Sequence, residues 1–167
     1  MKNSNKQFDF ILYGATSFVG QIMVEYLSGY KGEEYSWAMA GRSESKLQAL
    51  KKRFNMNEVP HFVADADDET ALKNLCSDTK AIVSTVGPYA MFGETLVKVC
   101  AQSGTDYCDL TGEPQWIKQM LDKYESDAKS SGARIVHCTG FDSIPSDLGV
   151  YKLQQVVIER TAAPAKQ

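Results

Sequence analysis

The sequence predicts an α/β fold built on a doubly wound, mostly parallel sheet, and three observations carry that prediction. Six short apolar runs alternate with segments of helical period along most of the chain. The runs lack strict in–out alternation, as strands covered on both faces do. The first run, within Phe8 to Leu27, reads FDFILYGATSFVGQIMVEYL and passes through a glycine-bounded loop straight into an amphipathic segment. Strands that alternate with helices in this way need right-handed crossovers, which make neighbouring strands parallel.

The strands are expected at Asp9–Tyr13, Ser36–Ala40, His61–Ala64, Ala81–Thr85, Tyr107–Asp109 and Arg134–Cys138. In the first helix Phe18, Val19, Ile22, Met23, Tyr26 and Leu27 form one apolar stripe, of the kind that packs on a core, and Gly29 marks its end. The second opens at Ser43, a good N-cap, and carries Leu47, Leu50 and Phe54. The third begins near Asp68 and offers Leu72 and Leu75 for burial, and the fourth offers Leu96, Val97 and Cys100 before Gly104. The fifth starts at Pro114, a favoured first helical residue, and offers Trp116, Ile117, Met120, Leu121 and Tyr124. A sixth follows Ser143-Ile144-Pro145 toward Val157. The pattern divides the chain into a polar tail over 1–7, one dinucleotide-binding domain over 8–158 and a fraying end over 159–167.

Composition narrows the function classes. At 167 residues the chain has the length of one domain, and 43% hydrophobic with 23% charged residues is ordinary for a water-soluble fold. A net charge of −3 argues against nucleic acid or an anionic membrane as the main partner. No run of ~18 apolar residues is present to span a bilayer, and the polar start MKNSNKQ lacks the apolar stretch of a secretory signal. Cys76, Cys100, Cys108 and Cys138 are scattered without a CxxC pair, which reads as free thiols in a reducing cytosol rather than a zinc site.

Chemistry concentrates at the strand ends. The loop Gly14-Ala15-Thr16-Ser17-Phe18-Val19-Gly20 joins a strand to a helix N-terminus, where free N–H groups and the helix dipole attract an anion. Gly14 permits the sharp turn and Gly20 a close helix–sheet approach, so the expected guest is a dinucleotide pyrophosphate. Backbone N–H groups from about Thr16 to Val19 are expected to face it, with the Thr16 and Ser17 hydroxyls available to help. Ser17 stands at the middle position, where the usual form of this loop has glycine. After the second strand, where an NAD-preferring domain places an acid, stand Gly41-Arg42-Ser43, with Lys46 one turn on. A guanidinium pairs with a 2′-phosphate through two hydrogen bonds, which points to NADP over NAD.

Asp65 and Ala66 follow the third strand, either beside the adenine or in a solvated turn that Asp68 caps. Val86, Gly87, Pro88 and Tyr89 leave the fourth strand at the edge where ligands bind in open α/β sheets, and would border the nicotinamide ribose. Tyr107, Asp109, Thr111, Glu113, His137 and Asp142 follow or end the last two strands. Capping and strand-end hydrogen bonds account for any one of them better than catalysis does, and spacing singles out no catalytic residue.

The segments GATSFVG, AGRS, GPYAMFGETLVKVCAQSGTDYCDLTGE and GFDSIPSDLG make the chain resemble the saccharopine dehydrogenase-like oxidoreductases from about Asp9 to Leu153. The resemblance implies a Rossmann domain binding NADP or NAD at Gly14 to Gly20, with Arg42 and Ser43 near the adenosine ribose. It also implies a longer protein, whose second domain follows this sequence, shapes a small-molecule or lipid-like substrate site and usually forms the homodimer. Some members resemble trans-acting enoyl reductases and others associate with lipid droplets or membranes, so the family leaves the substrate open. Two competitors stand beside an oxidoreductase cofactor domain. One is a non-catalytic dinucleotide-binding or sensing module acting through a protein partner. The other is acyl transfer through Cys138, in the manner of semialdehyde dehydrogenases, for which a partner base is wanting.

Overall fold

The structure is a computed structural model and describes residues 6–161 and 163. Most of the 1–7 tail and the end of the 159–167 tail thus lie outside the described residues. The elements run β1 (Phe8–Tyr13), α1 (Phe18–Gly29), β2 (Trp37–Gly41), α2 (Glu44–Arg53), β3 (His61–Val63), α3 (Glu69–Asp78) and β4 (Thr79–Ser84). After these come α4 (Tyr89–Phe92), α5 (Glu94–Ser103), β5 (Asp106–Asp109), α6 (Pro114–Ser131), β6 (Ile135–Val136) and α7 (Ile144–Thr161).

All pairings are parallel, and the sheet order is β3-β2-β1-β4-β5-β6. The fold is therefore the doubly wound α/β sheet the alternation predicts. The chain moves outward from β1 through β2 and β3, then crosses back to β4 beside β1, which creates a crevice at the switch point. Central β1 pairs Leu12 with Met39 on one side and with Val83 on the other.

Strand parity sends side chains into two cores. On one face Leu12 and Met39 pack with Val24 of α1 and Leu47 and Leu50 of α2. On the other, Ile11, Ala38, Ile82 and Tyr107 pack with Leu72 and Leu75 of α3, Leu96 and Val97 of α5, and Trp116 and Met120 of α6. Burial of apolar side chains at both faces, worth about 1.5–3 kcal/mol each, is what the near-continuous apolar strands supply.

The first face is covered unevenly, and this corrects the reading of α1. Phe18, Ile22 and Tyr26 are 81%, 51% and 66% exposed, whereas Gly20 and Val24 are buried. Helices α1 and α2 cover the β1–β2 half, while Val136 at the opposite edge is half exposed. The wide apolar stripe thus contains a sheet-facing row and an outer row, which periodicity alone does not separate. Leu121 of α6 is likewise exposed, although Trp116 and Met120 are buried as expected. Ile22→Lys is expected to change unfolding free energy by less than about 0.5 kcal/mol, and Val24→Ala to cost about 2 kcal/mol, both measured by urea denaturation.

The strand bounds differ from expectation by a residue or two. The largest change in length is at β6, which holds only Ile135 and Val136. Arg134 is tied to Asp106, its N–H and Nε each 2.9 Å from a carboxylate oxygen. Cys138 takes φ +61°, a left-handed conformation that turns the chain out of the ladder. The short α4, absent from the expected elements, is capped by Glu113, whose carboxylate accepts from the Tyr89 and Ala90 N–H groups at 2.7 and 2.9 Å.

Candidate functional site

The loop after β1 is shaped by its two glycines. Gly14 has φ +88°, and a Cβ there would lie 2.6 Å from Val86 Cγ2 and 2.7 Å from Thr85 Oγ1. A Cβ on Gly20 would lie 2.2 Å from the Gly14 carbonyl oxygen, so the first turn of α1 rests directly on the loop backbone. Gly14 and Ala15 both donate their N–H to Ala40 O, at 2.9 and 3.1 Å, which pins the loop to the end of β2.

Ser17 is the N-cap of α1, and its Oγ accepts from Gly20 N at 2.9 Å. The same oxygen lies 3.0 Å from Thr85 Oγ1, and Thr85 donates to Gly14 O at 2.9 Å. The serine hydroxyl is therefore spent inside the protein rather than offered to a ligand. The Ser17 N–H is also used, donating to Gly14 O at 2.8 Å. Of the four amides expected to face an anion, Thr16, Phe18 and Val19 have no acceptor among the described residues. A serine in place of the middle glycine thus caps the helix and bonds to β4, leaving the helix start as a donor site.

Opposite this loop, β2 ends at Gly41, and Arg42 and Ser43 lead into α2. The Ser43 Oγ accepts from Lys46 N at 3.4 Å as the N-cap. Arg42 and Lys46 are exposed, and neither makes an ion pair among the described residues. No carboxylate occupies the end of β2 itself. Asp65 lies across from them and accepts from Asp67 N at 3.2 Å in a local turn, while Asp68 caps α3 by accepting from Ala71 N at 3.0 Å. Both readings of this segment thus have a place: Asp68 is the cap, and Asp65 and Ala66 reach the cavity.

These parts enclose one cavity of about 270 Å³ at the C-terminal edge of the sheet. Gly14, Thr16, Ser17, Arg42, Ser43, Lys46, Asp65, Ala66, Val86 and Gly87 line it, as do Tyr13, Gly41, Thr85 and Phe92. The remaining residues singled out from sequence lie elsewhere. Ala15 and Gly20 are buried beneath the loop, Phe18 faces outward, and Pro88 is the N-cap of α4. Val19 lines a second cavity of about 310 Å³ with Met23, Val83, Leu110 and Thr139. Tyr89 does not line this cavity: its ring is buried, its hydroxyl donates to Ser84 O at 3.0 Å, and burial pushes its pKa up to about 12. Tyr13, Thr85 and Phe92 escape a reading of loops because the first is the last strand residue, the second serves the loop through its hydroxyl, and the third closes a one-turn helix. Burial pushes the Tyr13 hydroxyl well above its ordinary pKa, and nearby Asp65 adds to the shift.

The polar residues after β5 and β6 bond mainly to one another. Asp109 Oδ2 accepts from Tyr107 OH at 2.9 Å and lies 2.7 Å from His137 Nδ1, while Oδ1 accepts from Thr111 N at 3.1 Å and Cys138 N at 3.2 Å. His137 sits just past β6, between the rings of Tyr107 and Trp116. This is a structural carboxylate that ties the ends of two strands together. Asp109→Ala is expected to cost at least about 3 kcal/mol in urea denaturation, because several buried donors lose their acceptor at once. Asp109 and Asp142 line the second cavity, whereas Thr111 and Glu113 do not.

Comparison with known proteins gives the same frame. Residues 10–136 match the family model described as the saccharopine dehydrogenase NADP binding domain. Trans-acting enoyl reductases of Mycobacterium tuberculosis and Mycobacterium leprae are each 40% identical over 161 residues, which is 95% of this chain and 38% of theirs. The chain therefore spans well under half the length of these curated relatives. Among solved structures, apo saccharopine dehydrogenase (L-Glu forming) from Saccharomyces cerevisiae superposes with a TM-score of 0.71 at 21% identity, over 91% of this chain and 32% of that one. Triphenylmethane reductase from Citrobacter sp., complexed with NADP(H), gives 0.55 at 12% identity, over 77% of this chain and 48% of that one. At such identities the likeness shows the shared fold.

Proposed function

This chain belongs to the saccharopine dehydrogenase NADP-binding domain family, and from that premise we propose that it holds NADP(H), rather than NAD(H), for hydride transfer in a longer oxidoreductase. One observation carries the reading: a single cavity has the loop residues Thr16 and Ser17, just before the start of α1, at one side and Arg42, Ser43 and Lys46 at the other. The donor set suits a ligand with two separate phosphate positions, and the positions of Gly14 and Gly20 leave no room for a Cβ beside the loop.

In this reading the N–H groups of Thr16, Phe18 and Val19 bind the pyrophosphate, and Ser17 orients them by capping α1. Arg42 pairs with the 2′-phosphate, Ser43 offers the N-terminus of α2, and Lys46 adds charge. Asp65 and Ala66 border the adenine, and Val86 and Gly87 border the nicotinamide ribose. When bound, the nicotinamide supplies or receives a hydride at its C4 carbon. This chain's residues contribute orientation, and the remainder of a protein as long as the relatives contributes most of the substrate site and the dimer contacts. The trans-acting enoyl reductase relatives favour an enoyl substrate.

Calorimetric titration of the chain with NADP and NAD tests the reading. NADP is expected to bind at least about tenfold tighter, the value of one charge-assisted contact. Equal affinities would remove the 2′-phosphate assignment. A non-catalytic module acting through a protein partner would share the binding but never oxidise NADPH in the full-length protein.

A further inference from the structure

Cys76 and Cys100 stand apart from the cofactor cavity. Helices α3 and α5 pack side by side in the core of the second face and bring the two Sγ atoms to 3.6 Å, with both residues fully buried. In a parallel α/β sheet the helices run opposite to the strands, so their N-terminal ends lie at the cofactor edge. Cys76 and Cys100 sit in the last turns of α3 and α5, at the far edge.

The backbone around the pair is held firmly. Cys76 O accepts from Thr105 Oγ1 at 3.0 Å and from Lys6 Nζ at 2.6 Å, and Ser103 Oγ donates to Cys100 O at 3.4 Å. The two thiols are also unequal. The hydrogen bond with Cys100 holds the Cys76 thiol below its ordinary range, while burial pushes the Cys100 thiol well up. Cys76 is thus the member of the pair that gives up its proton more readily.

We propose that Cys76 and Cys100 form a peroxide-sensitive dithiol–disulfide couple that staples α3 to α5. The Cys76 thiolate attacks one peroxide oxygen, the O–O bond breaks, and the leaving hydroxide takes a proton to become water. Cys100 sulfur then attacks the sulfenic sulfur, forming the S–S bond and releasing a second water as its proton is lost. Two thiols are oxidised and one peroxide is reduced. Closure from 3.6 Å to a bond of about 2.05 Å asks for a small side-chain movement rather than a new fold. Full burial also selects the oxidant. Hydrogen peroxide is of water size, whereas glutathione disulfide would have to place a tripeptide in a packed core.

The test uses the reduced, folded chain. It is incubated with hydrogen peroxide, quenched by acid, alkylated and analysed by intact mass and peptide mapping. The expected result is a loss of about 2 Da, mapped to a Cys76–Cys100 link and reversed by dithiothreitol. Glutathione disulfide in place of peroxide is expected to leave both thiols free. The oxidised chain should melt about 5 °C higher, because the link closes a loop in the unfolded state. Its NADP affinity should change less than about twofold, since the staple lies at the far edge. Full alkylation of both residues after peroxide, a gain of oxygen mass without a link, or a link through Cys108 or Cys138 would each overturn the proposal. Cys100→Ala, where it folds, is expected to show no loss of 2 Da after peroxide, and a loss of 2 Da in that variant would place the link elsewhere and overturn the proposal. The wild-type peptide map decides the matter without that variant.

Discussion

Arg42→Asp is expected to weaken NADP binding by about 100-fold and to change NAD binding by less than about threefold. The first figure follows from losing a charge-assisted pair worth about 1.5–3 kcal/mol and gaining a carboxylate that repels the phosphate. The second follows because NAD has only a hydroxyl at that position, and an aspartate there can accept a hydrogen bond from it. Arg42 is exposed at the rim of the cavity and supports no core contact. The melting temperature should therefore hold, and an affinity change reads on the site itself. Calorimetry with both dinucleotides measures the split, and equal weakening would mean that Arg42 does not touch the 2′-phosphate.

Gly20→Ala carries the other large effect. The new Cβ would meet Gly14 O at 2.2 Å and the Ala15 carbonyl carbon at 2.8 Å, and both are backbone atoms that cannot swing aside. Either α1 lifts from the loop or the loop leaves β2, where Ala40 O holds the N–H groups of Gly14 and Ala15. The expected cost is about 3 kcal/mol in urea denaturation, with NADP binding lost because the donor amides move together with the helix start. Gly29→Ala is the matched control. It ends the same helix, and a Cβ there meets nothing within 4 Å. That change is expected to stabilise the chain by about 0.5 kcal/mol, through helix propensity and a less flexible unfolded state.

The parts of the fold that were legible in the sequence are those set by local rules. The serine cap at 43, the aspartate cap at 68 and proline at the start of α6 each act within one turn of backbone, and Gly14 and Gly20 bound a tight loop between a strand and the next helix. The parallel sheet followed from alternation, because crossover connections leave little choice of topology. What escaped depends on distant partners. Phe18, Ile22 and Tyr26 have the spacing of a buried stripe, yet their burial turns on how far α1 extends over β4 to β6. Tyr89 follows the cavity loop in sequence, but its ring turns inward because Ser84 O and Leu110 N provide hydrogen bonds beneath. Ser17 appeared as a departure from a glycine pattern, and its partner Thr85 lies 68 residues away. The cysteine pair is a contact of the same kind, invisible to spacing because α3 and α5 meet only in the folded core.

The most direct test of the central claim is a map of backbone amide shifts in the labelled chain as NADP and then NAD are added. NADP is expected to shift the amides of Thr16, Phe18 and Val19 together with Arg42 and Ser43 at the start of α2. NAD is expected to shift the loop amides while leaving those at the start of α2 nearly unmoved. Shifts that fall elsewhere, such as along α6, or an identical pattern for both dinucleotides, would contradict that claim.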